Sequence, residues 1–95
     1  PTGATANLTT TVISTNTTFN TDNQVVVTSG TITVSLPASP VNGQQIYIYA
    51  DGSNTTVNPN GHAIRSSGAD ITIPTVTGGA VRLYYVSATG KWYPL

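Results

Sequence analysis

A hydrolytic site needs a nucleophile, a base and a group that orients the base, and His62, Ser66 and Asp70 supply those types at intervals of four. That interval aligns side chains only on a helix, and Gly61 and Gly68 oppose a helix there. No triad is expected. Acid–base work by paired carboxylates has no better footing: there is no glutamate, and Asp22, Asp51 and Asp70 fall at scattered turn or strand-edge positions. The chain has no cysteine, which removes disulfides and thiolate metal sites. Asp51-Gly52-Ser53-Asn54 lacks the spacing of a calcium loop. His62, read as an exposed loop residue, could ligate a metal only if several copies met on an axis. The expectation is a protein with no catalytic residue, no resident metal and no cofactor, and so not an enzyme.

The aromatic residues suggest binding instead. Tyr47, Tyr49, Tyr84, Tyr85, Trp92 and Tyr93 could form a platform for sugars, because flat rings stack on pyranose faces while polar tips reach the hydroxyls. Trp92 and Tyr85 are expected to pack between strands. Tyr47 and Tyr49 remain open between a ligand face and a contact between subunits. Two turn-rich loops, Asp51 to Asn54 and Asn58 to Arg65, offer hydrogen-bonding groups on what should be a rigid scaffold. The candidate ligand-binding residues are therefore Tyr47, Tyr49, Asn54, Asn60, His62 and Arg65.

These residues must be positioned by strands. Only 6% of the chain is charged and 38% is hydrophobic, with abundant Thr and Val, 9 Gly and 6 Pro. Branched side chains suit pleated strands, and Gly and Pro suit corners. No window shows helical periodicity. In Thr31 to Leu36 the residues Ile32, Val34 and Leu36 share a face, and in Gln45 to Ala50 the residues Ile46, Ile48 and Ala50 do. These runs are expected to pair across the loop that contains Pro37, Pro40 and Asn42-Gly43. Because Tyr47 and Tyr49 occupy the opposite face, the second run is apolar on both sides and should be covered on both. Further strands are expected at Val25 to Val27, Thr55 to Asn58, Asp70 to Ile73, Ala80 to Val86 and Lys91 to Tyr93, with Ser29-Gly30 as a hairpin turn and Val57 pointing inward. Residues 1–23 read as a Thr/Asn-rich arm or a first strand, and 24–95 as one all-β domain, a small antiparallel β-sandwich or barrel.

The formal charge is zero, with Arg65, Arg82 and Lys91 against the three aspartates. Nothing resembles the basic footprint that a nucleic acid requires. No apolar run is long enough to cross a membrane, and no leader of the secretory type is recognisable, so neither membrane insertion nor a signal peptide is expected. Low charge gives little protection against edge-to-edge association of strands, and closure into an oligomer would remove that exposure.

From Thr31 onward the order of signals resembles a module of bacteriophage tail fibres, spikes and head fibres. The residues that carry the resemblance are a Thr-rich strand ending in Leu36-Pro37, Gly43 before the alternating strand Gln45 to Tyr49, Val57-Asn58 with Asn60-Gly61 and Ile64, the strand Ala80 to Tyr85, and Gly90-Lys91-Trp92-Tyr93. The resemblance covers about two thirds of the chain and implies a β-structured homotrimer at the virion surface, acting in attachment or decoration. The arm before Thr31 has no counterpart in it; other virion proteins through that arm, and host-surface polysaccharide at the tyrosines and loops, are the expected partners. The resemblance brings no catalytic residues. A bacterial adhesin or carbohydrate-binding module, on the cell surface or secreted, is the competing expectation.

Overall fold

The computed structural model describes residues 9–51, 54–65, 71–73 and 79–94. Among them lie nine strands: β1 (Thr9–Ile13), β2 (Thr17–Thr18), β3 (Gln24–Ser29), β4 (Ile32–Ser35), β5 (Gln45–Asp51), β6 (Thr55–Asn58), β7 (Ile71–Ile73), β8 (Ala80–Val86) and β9 (Lys91–Pro94). The expected strands are present with shifts of one or two residues at their ends; Asp70 lies outside the described residues. The stretch read as an arm or a first strand supplies both β1 and β2.

The strands form two mixed sheets, one of five strands in the order β1-β3-β5-β8-β9 and one of four in the order β2-β4-β6-β7. From β1 to β6 the chain alternates between them, and the neighbours β1-β3, β3-β5, β2-β4 and β4-β6 all run parallel. The chain thus winds as a flattened coil with one strand of each turn in each layer. Antiparallel pairing begins only where β7 joins β6, β8 joins β5 and β9 joins β8.

This corrects three expectations. The domain is not an antiparallel sandwich, and β4 and β5 are not partners: β4 lies between β2 and β6, and β5 between β3 and β8. The loop from Leu36 to Gln44 is too long for a tight hairpin, and it carries the chain from one layer to the other. The alternation of Ile32, Val34 and Leu36, and of Ile46, Ile48 and Ala50, arises because both sets point into one core. Ser29-Gly30 likewise is a crossing between layers, with Gly30 at φ 91°, and not a hairpin turn.

The core takes Val26, Ile46, Ile48, Leu83 and Trp92 from the larger sheet and Ile32, Val34 and Val57 from the smaller, with Leu36 and Ile64 from the connections. At roughly 1.5–3 kcal/mol for each fully buried large aliphatic side chain, this interior supplies the main drive to fold. Two buried polar features tie it down. Thr28 and Thr55 join their hydroxyls across the layers. Gln24 and Gln44 send their Nε2 groups to the carbonyls of Asn20 and Asp22, at 2.9 to 3.3 Å, and so hold the turn before β3.

Candidate functional site

The outer face of the five-stranded sheet is built by the period of two along each strand. With Gln24, Val26 and Thr28 turned inward, Val25 and Val27 face out, and parallel register sets Thr10 and Tyr47 beside Val25, and Val12 and Tyr49 beside Val27. On the antiparallel side Tyr47 lies opposite Arg82, Tyr49 opposite Ala80, and Tyr84 opposite both Gln45 and Tyr93. Val12 is 73% exposed, Tyr47 36% and Tyr49 37%. Tyr47 and Tyr49 are therefore accessible on a broad face of valine and tyrosine whose charged members are Arg82, Asp51 and Lys91.

The candidates in the loops lie elsewhere. Asn54 is exposed before β6, and Asn60, His62 and Arg65 follow its other end, so the length of that strand separates them. Asn60 takes up the left-handed region at φ 55° and serves as a clamp: its amide Nδ2 donates to the Leu36 carbonyl at 2.8 Å, and its own N–H donates to Asn58 Oδ1 at 2.8 Å. Arg65 also has φ 55°, and its N–H donates to the Trp92 carbonyl at 2.7 Å while the residue stays exposed.

His62 is not the free loop residue its flanking Asn60-Gly61 suggests. Its Nδ1 lies 3.1 Å from the Gly90 carbonyl and its Nε2 3.2 Å from the Ala38 carbonyl, with the Tyr85 hydroxyl 3.3 Å from Nδ1. The ring stands edge-on to Tyr85, whose ring is tilted against the buried Trp92 at 5.2 Å. His62 thus pins three connections together over the end of the core. Trp92 and Tyr85 are interior packing residues, as their positions on alternating strands imply.

The six candidates do not converge on one site: Tyr47 and Tyr49 share a face, Asn60 and His62 are held in structural hydrogen bonds, and Asn54 lies apart. Among the described residues no three of His, Cys, Asp and Glu are grouped to hold a metal ion; Ser66 and Asp70 fall outside those residues. Sequence reasoning did not pick out Val12, Val25, Val27 or Arg82 as members of the tyrosine face. The signal for them is the register of parallel strands, which no local pattern carries.

A cleft of about 200 Å³ opens where the layers end beside β1 and β2, lined by Thr11, Ile13, Thr17, Thr18, Phe19, Asn20, Gln24 and Val26. No family model matches the chain, and no curated protein matches it.

Proposed function

We propose that this chain is a non-catalytic structural and attachment module of a bacteriophage virion, a fibre, spike or capsid decoration, in which three copies turn the outer face of the five-stranded sheet toward a common axis. One observation carries the assembly: β1, β3 and β5 run parallel, and parallel sheets are ordinarily covered on both faces, yet here Val12, Tyr47 and Tyr49 lie exposed on one. Neighbouring copies supply the missing cover, with the polar rims of the rings at the edge of the contact. The resemblance from Leu36-Pro37 to Trp92-Tyr93 supplies the virion context, the surface location and the number three. The same resemblance supplies contacts with other virion proteins.

A second reading is favoured by the placement of Arg82 opposite Tyr47 and of Tyr84 opposite Tyr93, which sets donors among rings as a polysaccharide surface would. In it the same face binds host-surface glycans, as in an adhesin or carbohydrate-binding module. Tyr47→Ala and Tyr49→Ala separate the two. Dissociation of the trimer supports packing between copies. Loss of binding to host cells with the trimer intact supports recognition, and no change in either would refute a role for this face.

A further inference from the structure

The two ends of the coil differ. At one, the edge strand β9 carries Lys91 and Pro94 and runs antiparallel to β8; a charge and a proline are features that discourage further pairing at a sheet edge. At the other, β1 and β2 are the edges of their sheets among the described residues, and from Thr9 to Thr21 the sequence has no charged residue, no proline and no glycine. The Thr9 N–H donates to the Asn23 carbonyl at 3.3 Å, so by alternation Thr11 and Ile13 also address β3, while Thr10 and Val12 direct their N–H and C=O groups to the open side. In β2 the bond from the Phe19 N–H to the Ser35 carbonyl, 2.9 Å, leaves Thr18 facing out in the same way. The cleft of about 200 Å³ lies between these edges, and Ile13, Phe19 and Val26 line it, so the core itself reaches the surface there.

We propose that this end is a self-pairing interface, occupied by the same end of a second copy of the chain. A half-turn about an axis normal to the sheets lays β1 antiparallel to β1 and β2 antiparallel to β2 in one operation. Both sheets then continue through the contact, and the two clefts close on each other. A second copy fits for two reasons visible in this segment. It presents both free edges at the spacing of the layers, which a single added strand cannot do. It also brings no charge against its mate between Thr9 and Thr21. The pairing rests on these edges and not on the tyrosine face, and a twofold axis at this end is compatible with a threefold axis in front of that face.

Sedimentation equilibrium of the 95-residue chain at micromolar concentration tests it, because stoichiometry separates the two contacts. Six copies mean that both hold, and two that only the end pairs. Three or one would overturn end pairing. Thr18→Pro, in the smaller sheet and away from the tyrosine face, then removes an N–H from the open side alone, leaving the bonds of β2 to β4 intact. It is expected to halve the mass, with Thr18→Val, which keeps the N–H, holding the parent mass. An unchanged mass for a folded Thr18→Pro would refute the proposal. Should that variant lose its β-type circular dichroism, Thr18→Lys serves in its place: it sets like charges across the twofold and is expected to halve the mass, and retention of the parent mass would count against end pairing.

Discussion

Thr28 of β3 and Thr55 of β6 meet hydroxyl to hydroxyl inside the molecule, each fully buried and each from a different sheet. Thr28 Oγ1 also donates to the Tyr49 carbonyl at 3.4 Å, so the proton between the two hydroxyls comes from Thr55. The pair is a polar bolt through an apolar interior.

That asymmetry sets an order of stabilities. Thr28→Val leaves the Thr55 hydroxyl buried without its acceptor, at a cost of about 1–3 kcal/mol, whereas Thr55→Val leaves Thr28 its bond to Tyr49 and costs less. The double replacement removes both polar groups and is expected to be clearly less destabilising than the sum of the two. A double-mutant cycle by urea unfolding measures this, and strict additivity would show that the hydroxyls are not coupled.

Asn60 combines a left-handed backbone with a bond to the Leu36 carbonyl. Asn60→Gly loses the bond, at about 0.5–1.5 kcal/mol, and removes the Cβ that asparagine carries in the left-handed region, so the two effects oppose each other. Asn60→Ala loses the same bond and keeps the Cβ, and so lies about 1–2 kcal/mol below the glycine variant. Chemical denaturation should place alanine below both asparagine and glycine; alanine equal to glycine would remove backbone strain from the explanation.

Gln24 at the start of β3 and Gln44 just before β5 address the same two carbonyls, Asn20 and Asp22. Replacing Gln44 by Leu removes one set of donors from a buried position, and a loss of about 1–2 kcal/mol is expected. Amide exchange should accelerate in the turn before β3 more than in β5. Uniform acceleration across the sheet would mean that Gln44 acts on global stability and not on that turn.

What could be read from the sequence follows from what each signal encodes. Alternation tells which side chains of a strand are buried, and Ile46, Ile48 and Ala50 face inward and Tyr47 and Tyr49 outward as expected. It does not tell which strand lies alongside, so β4 and β5 could be taken for partners when they face each other across the core. β1 lacked an apolar alternation because Thr9, Thr10 and Thr11 join the sheet through their backbones, with side chains left exposed. For the candidate site, Tyr47 and Tyr49 were legible as a shared face. The anchoring of His62 was not, since its partners Ala38 and Gly90 are distant in the chain and are carbonyls, which leave no trace in residue type.

The tyrosine face is tested most directly in the Thr18→Pro background, where pairing through the end is blocked and mass reports the face alone. Sedimentation equilibrium should then give three copies, falling to one when Tyr47→Asp and Tyr49→Asp set charges on a face whose rings are 36% and 37% exposed in the single chain. A folded monomer before those replacements are made, or a trimer that survives them, would show that this face does not hold copies together.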